Sequence, residues 1–369
     1  MQVEKFNPAH PSLAEKPPKT SRGTPENPAN RFEKIHLEAD EDWNPDEDAD
    51  GRPPGPRTQF LRDHSASIIA YNDSPDIGFN ASVNPYRGCE HGCIYCYARP
   101  THEYLGFSSG LDFESKIMVK ENAPELLRQE LSARKWKPQI VIMSGVTDCY
   151  QPVERKLKLT RGCLQVFAEF RNPVALITKN FLVTRDIDVL SELARYNCAS
   201  VCLSITTLDN DLRRVMEPRT SPPQARLAAI RKLSDAGIPA SVNVAPIIPG
   251  LTDHEMPAIL KAAREAGATS AGFTVVRLPH ANTTLFEKWL ETHFPDRKEK
   301  VLNRIRSMRG GKLYDAQWGK RMRGEGIFAE QIETMFAVAR RKAGFKDGHR
   351  ELSTEHFRRP GGNQLSLFP

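Results

Sequence analysis

Parallel βα units closing into a partial (β/α)6 TIM-like barrel, an α/β class with a C-terminal helical extension and disordered termini, are predicted by three features of the chain. Six β-branched runs alternate with longer helical patterns between residues 81 and 278. The helical patterns are amphipathic, and two of them stop at a glycine. Both ends of the chain are polar and rich in Pro or Gly.

The strand candidates are ASVNP from Ala81, QIVIMS from Gln139, VALITK from Val174, SVCLSIT from Ser200, SVNVAPII from Ser241 and GFTVVRL from Gly272. Each is short and β-branched, which suits a buried strand. Strands separated by helices pair in parallel, because the crossover brings the chain back in the same direction. Between them, ENAPELLRQELSAR, LTRGCLQVFAEF, TRDIDVLSELARY, PPQARLAAIRKLSDAG and DHEMPAILKAAREAG carry apolar residues at helical spacing. Gly237 and Gly267 end the last two, as a left-handed C-terminal cap requires.

These patterns divide the 369 residues into four parts. Residues 1–60 read as a disordered arm, since Pro, Asn and acids with few aliphatics cannot offset the entropy of ordering. Residues 61–280 form the barrel, residues 281–345 a basic helical extension, and residues 346–369 a flexible tail. A hydrophobic content of 39% with 27% charged residues is that of a globular protein with a sizeable core. The start of the chain lacks the apolar centre of a signal peptide, and no run reaches the roughly 18 apolar residues of a membrane span. A cytoplasmic location is expected, where clustered thiols point to metal or catalysis rather than disulfides.

The net charge of +6 conceals an asymmetry. Between Glu38 and Asp50 lie eight acids and no base, which leaves the rest of the chain at +14. Residues 297–325 hold ten Lys or Arg against three acids, with Tyr314 and Trp318 among them. Basic clusters with aromatics suit a phosphate backbone and exposed bases; a solvated helical face has the same composition.

Three of the seven cysteines, Cys89, Cys93 and Cys96, fall within NPYRGCEHGCIYCYARP, in the loop after the first strand. In parallel α/β barrels chemistry sits at the carboxyl ends of strands. Three thiolates can hold a soft metal centre, and a cubane iron–sulfur cluster held by three instead of four cysteines has one iron open. Gly88 and Gly92 let the loop fold tightly around such a centre. A structural zinc site completed by His91 or a remote ligand is the alternative, although the second ligand pair of a zinc ribbon is absent.

CEHGCIYCYAR resembles the CxxxCxxC signature of the radical S-adenosylmethionine (SAM) enzymes. With ARPTHEYLGFSSGLDFESKI, ITKNFLVTRDIDVL and PIIPGLTD, the chain is most similar to the subgroup related to spore photoproduct lyase, a DNA-repair branch, over residues 60–345. The resemblance implies a [4Fe-4S] cluster on Cys89, Cys93 and Cys96 whose open iron is chelated by S-adenosyl-L-methionine. It implies reductive cleavage of that cofactor to methionine and a 5′-deoxyadenosyl radical, which abstracts hydrogen from an unactivated carbon, and hence a one-electron reductant such as flavodoxin or ferredoxin. DNA or another nucleic acid is the implied substrate; RNA, protein or a small molecule are the alternatives.

Carried over residue by residue, the resemblance puts Tyr95 along the adenine. It puts Ser144 and Gly145 at the methionine amine, with the family's acid displaced to Asp148. Ser204 and Thr206 match the strand at the ribose, and strand alternation sends Cys202, Ser204 and Thr206 into the lumen and Val201, Leu203 and Ile205 toward the helices. Pro246 and Ile248 match the segment that closes over adenine. Lys179 reaches the cofactor carboxylate or a substrate phosphate. Cys149, four residues after the family's donor position, is the candidate that returns hydrogen to the substrate, with Cys202 behind it. Cys163 lies on an apolar helix face and Cys198 before a strand, and both are core residues.

The terminal QLSLF resembles the pentapeptide with which bacterial replication and repair proteins bind the DNA sliding clamp. Gln364, Leu365, Leu367 and Phe368 would fill its groove, and a tail folded back on its own domain is the alternative. Two classes therefore fit the sequence: a radical SAM enzyme, and a non-catalytic iron–sulfur or zinc module bound to nucleic acid.

Overall fold

The computed structural model describes residues 22–32, 57–346 and 351–360. Its elements run in order β1 (Gln59–Arg62), β2 (Ile69–Tyr71), β3 (Ala81–Val83), β4 (Tyr86–Arg87), α1 (Leu111–Ser115), β5 (Lys116–Val119), α2 (Ala123–Ser132), β6 (Val141–Met143), α3 (Glu154–Leu157) and α4 (Leu159–Phe170). There follow β7 (Val174–Thr178), α5 (Ile187–Arg195), β8 (Ala199–Ser204), α6 (Asn210–Met216), α7 (Pro223–Asp235), β9 (Ala240–Ile247), α8 (Met256–Glu265) and β10 (Ser270–Val275). The extension holds α9 (Asn282–His293), α10 (Pro295–Ser307) and α11 (Ile327–Lys342).

The six expected strands are β3, β6, β7, β8, β9 and β10, and they lie side by side in that order, every neighbouring pair parallel. Antiparallel β2 covers the β3 edge, and β1, β5 and β4 make a separate small sheet. The order is open rather than cyclic, so the barrel has a seam between β10 and β2. Helix α4 shows how a pattern becomes packing. Cys163, Val166, Phe167 and Phe170 fall on one face and are all buried. Each large side chain there contributes about 1.5–3 kcal/mol on burial. Gly237 and Gly267, with φ of 74° and 104°, stand in the left-handed region at the ends of α7 and α8.

The seam is bridged by residues 308–326. The sequence suggests continuous helix there, but five glycines of the stretch, from Gly310 to Gly326, take positive φ and the chain is irregular. Val275 N donates to Met322 O (3.0 Å), and Arg309 donates to the carbonyls of Lys320 and Val276. On the other side Gly319 N and Arg321 Nε donate to Asp76, in the turn between β2 and β3, and Arg321 also bonds Ser74. One segment thus joins both edges of the open sheet.

Two parts of the expected arm and tail pack on the fold. Residues 22–32 lie against the segment that follows the three clustered thiols: Arg22 and Gly23 bond Glu114, Asn27 bonds Asp112, and Asn30 and Arg31 bond Glu103. Residues 351–360 dock at the opposite end of the sheet, with Ser353 N on Asn197 O, Phe357 beside Phe170 and Arg358 on the carbonyls of Glu169 and Phe170. Polar pairing, not aliphatic content, holds both, which explains why composition suggested disorder. Among the described residues no helix is long and apolar enough to cross a membrane.

Candidate active site

The loop that carries Cys89, Cys93 and Cys96 leaves β3 and β4 and is tied down through its backbone. Cys89 N donates to Phe113 O (2.8 Å). Arg99, completely buried, donates from Nε and a terminal nitrogen to Cys93 O (3.1 and 3.0 Å) and pairs with Glu114. Asn282 Nδ2 donates to Cys96 O (2.7 Å), so α9 of the extension also fixes the loop. His91 is held between Asp148 (3.3 Å) and Asn180 (3.2 Å). Gly92 takes φ of 65°, and a Cβ there would lie 2.6 Å from Glu114 Oε2, so the turn accepts no side chain.

Cys89 and Cys93 are buried and Cys96 half-buried. Burial pushes all three thiols above their ordinary range, and for Cys89 the neighbouring Asp148 and the other two thiols add to it. Thiols so placed become thiolates only beside positive charge, which a bound iron cluster supplies. Among the described residues no three His, Cys, Asp or Glu side chains converge as a single metal ion requires. A cubane sets no such demand, since each thiolate binds a different iron. The donor set, its dry surroundings and the glycine turn fit a [4Fe-4S] cluster.

Around the last thiol a buried network converges. Tyr95 donates its hydroxyl to Glu217 and stands 3.2 Å from Thr206 Oγ1, which itself donates to Glu217 Oε1 (2.7 Å) or Ala245 O (2.8 Å). Arg226 closes the network from α7, bonding Glu217, Ser204 O and Ser221 O. Burial alone would raise the Glu217 carboxyl; Arg226, Lys179 and the Tyr95 hydroxyl overcome it and hold the group at about 2. Lys179 Nζ lies 5.8 Å from the Tyr95 ring centre and donates to Ala245 O (3.2 Å), the residue before Pro246.

The structure therefore brings Tyr95, Lys179, Ser204, Thr206 and Pro246 to one place beside the cysteine loop. Ser144 and Gly145 lie across the mouth: Ser144 has φ of 72°, its hydroxyl accepts from Cys149 N (2.9 Å), and Gly145 O accepts from the Tyr97 hydroxyl (2.7 Å). Asp148 is occupied by Thr178, Lys179 N, Tyr150 N and His91. Ile248 is buried in the core beside this strand end. Val201, Leu203 and Ile205 are buried, and Cys202 lies half-buried on the opposite face beside Ser241. The Cys149 thiol is fully buried, next to the hydroxyls of Ser144 and of Thr160 on α4. Gln364, Leu365, Leu367 and Phe368 lie outside the described residues. Sequence reasoning missed Glu217, Arg226, Arg99, Glu114 and Asn282. Their signal is pairing across the fold, which periodicity does not carry.

Residues 83–263 match the Radical SAM superfamily model. An uncharacterized protein of Mycobacterium tuberculosis is 38% identical over 220 residues, which cover 59% of this chain and 65% of the relative. A radical SAM Nα-GlyT isomerase of Pseudomonas phage M6 is 28% identical over 174 residues, covering 47% of this chain and 34% of the isomerase. Among solved structures, spore photoproduct lyase complexed with dinucleoside spore photoproduct superposes with a TM-score of 0.56 at 16% identity, over 77% of this chain and 79% of the lyase. At that identity the likeness is one of fold.

Proposed function

Since residues 83–263 are a domain of the Radical SAM superfamily, we propose that the chain is a radical SAM enzyme acting on a nucleic-acid lesion or nucleotide. The observation that carries this is the trio of shielded thiols at the carboxyl end of the first parallel strand, facing Tyr95, Thr206 and Lys179. Bound there, the cluster and S-adenosyl-L-methionine supply a primary carbon radical at the cost of one electron, which a flavodoxin or ferredoxin provides.

The chain's own part is positioning and the exclusion of water. Cys89, Cys93 and Cys96 would hold the cluster, each through its thiolate. Tyr95, locked through Glu217 and Thr206, offers its ring as a fixed wall for adenine, while Ser204, Thr206, Pro246 and Ile248 border the nucleoside. Lys179 supplies positive charge for a carboxylate, and the carbonyls near Ser144 and Gly145 supply acceptors for an ammonium. Cys149 can return a hydrogen atom only if the loop of residues 144–150 turns its thiol away from α4. Unchanged product distribution in Cys149→Ala would remove it from the reaction.

The test is anaerobic reconstitution followed by reduction with S-adenosyl-L-methionine present. Formation of 5′-deoxyadenosine is expected, abolished in Cys89→Ala, Cys93→Ala and Cys96→Ala. A non-catalytic nucleic-acid module would form none. The basic segment 297–325 supports a nucleic-acid substrate, and loss of dinucleotide photoproduct from irradiated DNA would identify a lesion. Turnover only with RNA, protein or a small molecule would redirect the assignment. The tail motif Gln364, Leu365, Leu367 and Phe368 supports recruitment by the sliding clamp. A synthetic tail peptide should bind purified clamp and lose binding when Leu365 and Phe368 are replaced by Ala. All of this chemistry suits the reducing cytoplasm.

A further inference from the structure

The buried arginines of this fold are, as a rule, saturated. Arg99 reaches the carbonyls of Cys93, Ser109 and Gly110 and the Glu114 carboxylate. Arg226 reaches two carbonyls, a hydroxyl and the Glu217 carboxylate. Arg309 spans the carbonyls of Lys320 and Val276. Arg277 differs. It stands two residues past the end of β10, at the mouth of the barrel, and among the described residues it makes no ion pair. Its Nε is buried with no partner, and one terminal nitrogen meets only the thioether of Met322 (2.9 Å). Its guanidinium lies 4.7 Å from the ring centre of Tyr97, the residue that follows Cys96.

The surroundings do not neutralise it. Desolvation and the nearby Arg321 lower its pKa, and Asp76, the weakest of the charges acting on it, already accepts from Arg321 and Gly319. Arg309 adds a third cation. A desolvated guanidinium with an open hydrogen-bonding edge is costly unless an anion completes it, and its planar fork matches phosphate oxygens. Tyr314, close enough to act on Arg277 electrostatically, pairs with His280 at 6.4 Å between ring centres, and the Tyr97 ring lies beside the guanidinium itself. Aromatic faces next to a phosphate fork suit a nucleotide unit.

We propose that Arg277 is the phosphate anchor of the substrate site, binding the anionic backbone of a nucleotide unit at the barrel seam, on the Tyr97 side of the cysteine loop. The identity of the anion's carrier rests on the nucleic-acid reading above; the anchor itself does not. Bridging of the seam by residues 308–326 gives the role a structural logic, since Met322, which touches the guanidinium, sits on that bridge.

Arginine-selective modification by phenylglyoxal, read residue by residue by mass spectrometry on the full-length holoprotein, tests it. With inorganic phosphate at about ten times its dissociation constant, modification of Arg277 should slow roughly 10-fold relative to chloride at equal ionic strength. The exposed Arg155 should be unaffected. The dinucleoside monophosphate TpT should protect as well, and protection by phosphate but not by TpT would keep the anchor and overturn the nucleic-acid reading. Equal rates in phosphate and chloride, or no reaction at Arg277 while Arg155 reacts, would overturn the anchor. In Arg277→Gln, TpT affinity should fall roughly 10- to 100-fold, as loss of hydrogen bonds from a charged donor implies. Affinity for the uncharged methylphosphonate analogue should stay unchanged; equal loss for both would mean that Arg277 is only structural.

Discussion

Replacing Glu217 by Gln changes one charge and almost no volume in the network that holds Tyr95. Glu217 and Arg226 are at most 1% exposed, and the carboxylate is held at about 2 chiefly by Arg226 working against burial. Two opposite charges about 4 Å apart attract by about 4 kcal/mol at an effective dielectric of about 20. Breaking a buried pair costs about 3–5 kcal/mol because the remaining charge is stranded. In a domain of about 200 residues each kcal/mol lowers the melting temperature by about 2–4 °C, so Glu217→Gln should melt roughly 10 °C below the parent at the same scan rate. Arg226→Met in the Glu217→Gln background should restore part of that loss, since no charge is then stranded. A shift of less than about 2 °C for the single variant, or strict additivity in the double one, would refute the reasoning.

Three further outcomes follow from other parts of the molecule. Gly92→Ala must place a methyl group 2.6 Å from Glu114 Oε2 at a φ of 65°, and reconstituted protein should carry less iron per chain, whereas Gly237→Ala, with open space around it, should keep full iron. Burial lowers the His102 pKa to about 4 from its ordinary 6.5, between Phe107 and Phe113. The unfolded chain therefore binds the extra proton first, and about 3 kcal/mol of stability should drain away as pH falls from 6.5 to 4. His102→Phe should flatten that part of the melting-temperature profile. Asp76→Asn removes the charge and replaces one of the two oxygens that accept from Gly319 and Arg321 at the seam by a donor NH2, and limited proteolysis should then cut residues 311–318 faster than in the parent.

The parallel strands were legible because short apolar runs rich in β-branched residues alternate with helical patterns, and all six candidates appear in their expected order. The cysteine loop was legible because spacing alone constrains thiols that share one centre. Hydropathy could not foresee residues 22–32, whose attachment runs through Glu103, Asp112 and Glu114, three carboxylates far along the chain. Nor could it foresee Glu217 and Arg226, since a charge reads as surface until its partner is known. The bridge at residues 308–326 was hidden in a basic composition that reads equally as helix, and only its glycines hinted at irregular chain.

Electron paramagnetic resonance of the reduced, anaerobically reconstituted protein, recorded before and after addition of S-adenosyl-L-methionine, reaches most directly the idea that three cysteines leave one iron free. A [4Fe-4S] signal that shifts on addition, and that disappears in Cys96→Ala, is expected. Zinc as the sole bound metal, or a cluster signal unmoved by the sulfonium compound, would contradict it.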